Sequence, residues 1–161
     1  MHRNNQPLFA KDIEAQWKDA PPSPGNVIRL ACLYLGMCDH APGEHVLDRS
    51  GNNVPIKSDS ATAFGLCGAL LRATAFLGGS DEVLGIVSSA VEAHILADMV
   101  ERGLLSDTSP KPRAIGVHEW DCNNKHEKVL EVLRKAANFC NNATVSDVSQ
   151  NISKAANASN N

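Results

Sequence analysis

The fold class of this chain is predicted first by residues 27–38, which have the sequence VIRLACLYLGMC. Apolar residues lie on almost every side of a helix built from it, so we expect this helix, with Asn26 as its N-cap, to be buried on several sides. Residues 61–77 have the same character, with Arg72 as their only charged residue, and we expect them to form the central helix. Two such helices packed together predict a mainly α-helical core.

Weaker helical patterns lie on either side of this pair. Apolar residues every four positions predict a short helix over residues 9–17, ended by the Pro/Gly cluster at 21–25. Ser80 and the acids after it predict the start of a third long helix that ends at Gly103. A last long helix is expected from about residue 125 to 139, where Asn124 and Glu127 have capping-box spacing.

Strand signals are weaker than helix signals. Residues 46–56 read as two short extended pieces around a Gly/Asn turn, and residues 114–118 could form a strand that pairs with them. The fold expected is therefore a mainly α domain of four to five helices with a small two- or three-stranded sheet. Its parts would be an N-terminal helix with a Pro-rich linker (1–25), the helical domain (26–140), and a tail rich in Asn, Ser and Ala (141–161) that could form a terminal helix.

Composition excludes several classes of function. The chain has 161 residues, of which 43% are apolar and 20% charged, and a formal net charge of −3, as expected of one ordinary domain. No window collects the basic residues typical of nucleic-acid binding, and no uninterrupted apolar run is long enough to span a membrane. No cofactor motif and no signal-peptide pattern is present, so we expect a cytoplasmic protein without a cofactor. Five cysteines without paired spacing argue against a disulfide framework.

Residues 117–127, VHEWDCNNKHE, form the most unusual corner of the sequence. Histidines, acids and a cysteine converge there on a predicted helix start, where backbone N–H groups are free. We interpret His118, Asp121, Asn124 and His126 as the candidate functional corner. The favoured role is structural: Asp121, Asn124 and His126 would meet and bind the preceding loop to the last helix.

Two chemical alternatives use the same corner. An enzyme would pair Cys67 as nucleophile with His126 or His118 as base and Asp121 as the residue that orients it. However, Cys67 is expected about two turns inside an apolar helix, where a cysteine is inert.

A metal site would instead use His118, Cys122 and His126, joined by Asp121 or by His40 and His45. Such spacing places three ligands on one face only in a continuous helix, and the two asparagines at 123–124 argue that a helix starts inside it. No metal is therefore favoured.

Three segments resemble a small bacterial and phage-associated family of unknown function. Its R-D-x-x-G-x-x-V element corresponds to residues 48–54, its W-C-L-x-G-A-L helix to residues 64–70, and its late N-D…T-H-x-E-V-L helix to Asp121 and residues 126–130. Phe64 replaces the family tryptophan, and its cysteine falls on Gly65. The resemblance implies a shared fold over about residues 27–137 and a phage or mobile-element association, but it brings no known activity.

The function expected from the sequence is that of a non-enzymatic accessory or protein-interaction protein. The grounds are the missing nucleophile context, the absence of a cofactor motif and an aromatic content of only 4%, which provides few rings for bases or sugars. The apolar stripe of the tail (141–161) would dock on its own core or on a second copy, which makes a homodimer plausible. The alternative remains a small Cys/His hydrolase or transferase, or a metal-binding protein.

Overall fold

A computed structural model describes residues 6–103 and 117–140 of the chain. These residues form a mainly α-helical structure with a small sheet, which confirms the fold class. The elements are α1 (Ala10–Glu14), α2 (Pro24–Met37), β1 (Asp39–His40), β2 (Val46–Leu47), β3 (Ala63–Phe64), α3 (Leu66–Phe76), α4 (Asp81–Glu101), α5 (Val117–Asn123) and α6 (His126–Phe139). The described part therefore has six helices, one more than expected, and α5 is the helix that the sequence did not predict.

Helix α2 is the centre of the core, a position that was expected of residues 61–77; its own all-round apolarity predicted only its burial. It packs against α3, α4 and α6, and its side chains Val27, Ile28, Tyr34 and Leu35 are fully buried. Its N-cap is Ser23 rather than the expected Asn26: the Ser23 hydroxyl accepts the Asn26 backbone N–H, and proline follows at the first helical position.

The second apolar segment splits into a strand and a helix, so the single helix expected over residues 61–77 was wrong. Strand β3 lies between β1, which it pairs in parallel, and β2, which it pairs antiparallel. Both Ala63 and Phe64 are buried, so this central strand lacks the alternation that marks a half-exposed one. Helix α3 then begins only at Leu66, five residues later than expected.

The remaining sheet predictions were partly wrong. Val46 and Leu47 do form β2, and Leu47 bridges Asn53 across the predicted turn, but residues 54–56 are not a strand. Residues 117 and 118, expected in a strand, are the first two of α5. Residues 114–116 and the predicted tail helix lie outside the described residues.

Helix α4 has one face in the core. Its cap is Ser80, as predicted, whose hydroxyl accepts the Val83 N–H, and Val87, Val91 and Ile95 are buried on its inner side. By length and composition α4 could cross a membrane, and it is the one such helix among the described residues. This is weak evidence for a membrane span, because core helices of soluble proteins meet the same criteria of length and composition.

Helix α6 begins at His126 without the capping box expected from Asn124 and Glu127. Lys125 holds the N-cap position, and no side chain caps the helix. The inner face of α6, which includes Val129, Val132 and Leu133, packs against α2 and α4. The helix start is therefore fixed by burial of this face rather than by a local cap.

Candidate functional site

Helix α5 divides its side chains between the interior and the surface. Trp120 and Asp121 are buried, whereas His118, Glu119 and Cys122 are exposed. The helix contacts both α3 and α4. Of the residues that sequence analysis singled out on α5, only Asp121 therefore reaches the interior.

The Asp121 carboxylate is the centre of the site. Oδ2 accepts the backbone N–H groups of Leu66 at 3.0 Å and Gly43 at 3.2 Å, and Oδ1 contacts His40 Nε2 at 2.7 Å. Leu66 is the first residue of α3, and the N-cap residue, Gly65, has no side chain to serve its free N–H groups. Asp121 therefore acts as an N-cap for α3 from a helix far away in sequence, and its charge complements the helix dipole.

His40 joins Asp121 to His126. The pairing of β1 with β3 places His40 beside Phe64, just before α3 begins, and its side chain is only 5% exposed. A carboxylate can only accept, so His40 Nε2 donates to Asp121. On the other side of the ring, His40 Nδ1 lies 3.1 Å from His126 Nδ1. One of these two atoms must carry a proton and the other must accept it, so two cationic rings are incompatible with this contact.

Burial and hydrogen bonding shift the two ends of this chain differently. Burial raises the pKa of Asp121, but the hydrogen bonds from His40, Leu66 and Gly43 outweigh it, and the pKa lies below its ordinary value. Burial, and then the nearby His40, lower the pKa of His126. The arrangement therefore favours an ionised Asp121 and a neutral His126. We name His40, Asp121 and His126 the Asp121 corner.

The loop before β2 approaches α3 as closely as backbone allows. A Cβ at Gly68 would collide with the His45 carbonyl, and one at Gly65 would collide with the Glu44 carbonyl. The Gly65 N–H also donates to the His45 carbonyl. Glycine is therefore required at both positions, and this close approach brings His40 and Gly43 within reach of Asp121.

Asn124 does not join the Asp121 corner, so the predicted meeting of Asp121, Asn124 and His126 was wrong in this respect. The Asn124 amide donates to the Trp120 carbonyl and accepts from Arg102 at the end of α4. The link between Asp121 and His126 runs through His40, which the sequence suggested only as an alternative metal ligand.

The proposed metal ligands do not come together. His118 and Cys122 both lie against Gly43 on the exposed side of α5, whereas His126 lies in the next helix against His40. Among residues 6–103 and 117–140, no group of three His, Cys, Asp or Glu side chains is arranged to hold a metal ion.

Cys67 lies in the first turn of α3, so its expected position two turns inside a helix was wrong. A helix start normally favours a thiolate. Here burial raises the pKa of the Cys67 thiol, and the charges of Asp121 and Glu92 raise it further. The surroundings therefore oppose its activation as a nucleophile.

A second buried polar cluster was missed in the sequence. Arg72 on α3 makes two hydrogen bonds to Glu14 on α1, at 2.8 and 3.1 Å, and Tyr34 on α2 donates to the same carboxylate at 2.5 Å. Nη1 of Arg72 donates to the carbonyls of Ile56 and Ser58. A single arginine in an apolar helix indicates that a buried acidic residue pairs with it, but the sequence does not show which acidic residue this is. We name Glu14, Tyr34 and Arg72 the α1–α3 ion pair.

The side of α4 that faces away from the core is weakly polar. Only 33% of its most apolar window is buried. The outward face comprises two rows of residues, the second of them all small: Leu84, Ser88, Glu92, Leu96 and Val100, beside Gly85, Ser89, Ala93 and Ala97. Glu92 is the one charged residue of this set.

No family model matches this chain, and neither a curated protein nor a solved structure does. The resemblance to the phage-associated family stays a prediction. The glycine of its G-A-L element corresponds to Gly68, whose small size the close loop contact requires. The physical role of that glycine is therefore structural.

Proposed function

We propose that this protein is a small non-enzymatic interaction protein that binds its partner through the outward face of α4. The observation that supports this is the part of an apolar helix that the other described residues leave uncovered: Val100 is 58% exposed, and only 33% of the most apolar window of α4 is buried. Contiguous exposed apolar surface is typical of protein-binding sites. The family resemblance favours an accessory protein of phage or mobile elements.

The Asp121 corner supports a structural rather than a catalytic reading. Asp121 and His40 are 2% and 5% exposed at their side chains, so the pair offers little access to a substrate. Each oxygen of the carboxylate already accepts a hydrogen bond that holds α3, α5 and the loop at Gly43 together. These hydrogen bonds give the buried Asp121 a sufficient role in stabilising the fold.

The chemistry of the outward face indicates the kind of partner. Its apolar residues span from Leu84 to Val100, about 24 Å of helix. The row of small residues lets a second helix approach closely, and Glu92 in the middle would repel another acid and attract a base. The partner is therefore an amphipathic helix with an apolar stripe and one Lys or Arg opposite Glu92.

Site-specific photocross-linking tests this proposal. A photoreactive residue at Ala93 should capture a discrete partner in cells that naturally carry the gene, and one at Met37, which is 48% exposed elsewhere, should not. Leu96→Glu and Glu92→Lys should each abolish capture at Ala93. The purified partner should then bind the wild-type chain and lose affinity for E92K.

The same experiment separates other occupants of the face. Cross-links between two copies would show self-association, and cross-links to residues 141–161 of the same chain would show that the tail covers α4. Equal capture at Ala93 and Met37 would contradict a specific binding surface.

A further inference from the structure

A cleft of about 310 Å³ lies between α1, the loop before β3 and the C-terminal half of α3. This volume is at the lower end of the range for small-ligand sites. The cleft does not involve α4, α5 or the Asp121 corner. It is therefore a concavity separate from both the partner surface and the corner.

The floor of the cleft is rigid because it is the α1–α3 ion pair. Arg72 and Glu14 are both buried, and Tyr34 ties Glu14 to the central helix. Four of the five N–H donors of Arg72 bind Glu14, Ile56 and Ser58, and Tyr34 also interacts with the guanidinium. The orientation of this cation is therefore fixed before any ligand binds, and its positive charge is suited to an anion.

The walls of the cleft are positively charged. Lys11 and Lys18 come from the α1 region and Lys57 from the loop, and all three are exposed. Together with Arg72 they place four cations against the two carboxylates of Glu14 and Asp59. The local excess of positive charge contrasts with the net charge of −3 for the whole chain.

One rim of the cleft is aromatic. Phe76 lies one turn after Arg72 on α3 and is among the few large apolar side chains of the described residues that are exposed. A ring beside a cluster of cations provides a stacking surface for a flat apolar group attached to an anion. A site for a simple inorganic anion would not need this aromatic side chain.

We propose that this cleft binds a small organic anion that carries a flat apolar group, such as an aryl phosphate or aryl carboxylate. The lysines hold the anionic group above the positive charge of Arg72, and Phe76 stacks on the apolar group. The site rests on residues that the partner surface does not use, so it can succeed or fail independently of the proposed function.

Titration of the full-length protein with phenyl phosphate, followed by ¹⁵N NMR, tests the proposal. Saturable shifts are expected at the amides of Lys11, Lys57 and Phe76, with a Kd below about 1 mM and weaker binding of inorganic phosphate. Lys18→Gln and Lys57→Gln should each weaken binding about threefold, and the double variant about tenfold.

Two controls make the result specific. Lys135→Gln changes an exposed lysine on α6 and should leave the Kd unchanged. Phe76→Ala should weaken phenyl phosphate about threefold without changing the affinity for inorganic phosphate. Absence of saturation at about 10 mM, an equal effect of K135Q, or equal affinity for the two probes with no effect of F76A would each overturn the proposal.

Discussion

The α1–α3 ion pair and the Asp121 corner both join distant parts of the chain through a buried carboxylate, but they differ in how firmly their protons are held. In the ion pair, burial lowers the pKa of Arg72, but the hydrogen bonds and charge of Glu14 have the larger effect, so the pKa of Arg72 is raised. Burial and Glu14 also raise the pKa of Tyr34. In the Asp121 corner, burial and the nearby His40 instead lower the pKa of His126 below its ordinary value.

The comparison shows that one small fold stabilises a buried carboxylate in two different ways. A permanent cation gives a link that is independent of pH over the physiological range. A histidine and two backbone N–H groups give a link whose outer part, His126, changes charge when the solution becomes acidic. The ion pair fixes α1 to the core, and the corner fixes α5 to the start of α3.

The largest effect is expected from Arg72→Met, which leaves the Glu14 carboxylate buried without its cation. The free energy of unfolding should fall by about 3 to 5 kcal/mol in urea denaturation. Arg134→Met on the exposed side of α6 is the matched control and should change it by less than about 0.5 kcal/mol. A loss below about 1 kcal/mol for R72M would mean that the pair contributes little.

Asp121→Ala tests the corner in the same way. Two backbone N–H groups and His40 lose their acceptor, so unfolding should become easier by about 3 kcal/mol. Glu119→Ala, at an exposed position of the same helix, should have little effect. If both variants lost the same stability, the interactions of Asp121 would not be the cause.

Gly68→Ala disturbs the corner without removing a charge. The new Cβ collides with the His45 carbonyl, and the displaced loop should cost about 2 kcal/mol. Gly85 on α4 has open space around it, so Gly85→Ala should stabilise the protein by up to about 1 kcal/mol. Thermal melts of the two variants should therefore shift in opposite directions, and shifts of the same sign would contradict the close contact.

His126→Gln should have the smallest effect, about 1 kcal/mol near pH 8, because one partly buried hydrogen bond is altered. Its more informative effect is on pH dependence. The folded-state pKa of His126 lies below its ordinary value of 6.5, so the unfolded chain binds the proton more readily. The contribution of His126 is present above pH 6.5 and is lost as the pH falls through the folded-state value.

Urea midpoints between about pH 8 and about pH 5 measure this loss. The wild type should lose more stability over that range than H126Q. Asp121 does not interfere with this measurement. Its folded-state pKa lies below the ordinary value of 3.8, so the stability that it contributes is lost only below pH 3.8. Identical slopes for wild type and H126Q would show that His126 does not titrate with unfolding.

The Asp121 corner could be located from the sequence but not assembled from it. Residue-type crowding at 117–127 identified Asp121 and His126, yet their link, His40, lies about 80 residues away and is brought in by the pairing of β1 with β3. No local signal specifies that pairing, because Ala63 and Phe64 are buried and read as part of an apolar helix. Cys67 was misplaced for the same reason.

The sequence alone predicted the mainly helical class, the burial of α2, and the extents of α4 and α6 to within a few residues, because periodic burial of apolar side chains is a local pattern. Tertiary structure decided where α3 begins, which acid pairs with Arg72, and how Asp121 is used. Those outcomes depend on contacts between residues far apart in the chain. Gly68 is required because the His45 carbonyl lies against it, and Arg72 can be buried because Glu14 pairs with it. Both contacts exist only in the folded molecule.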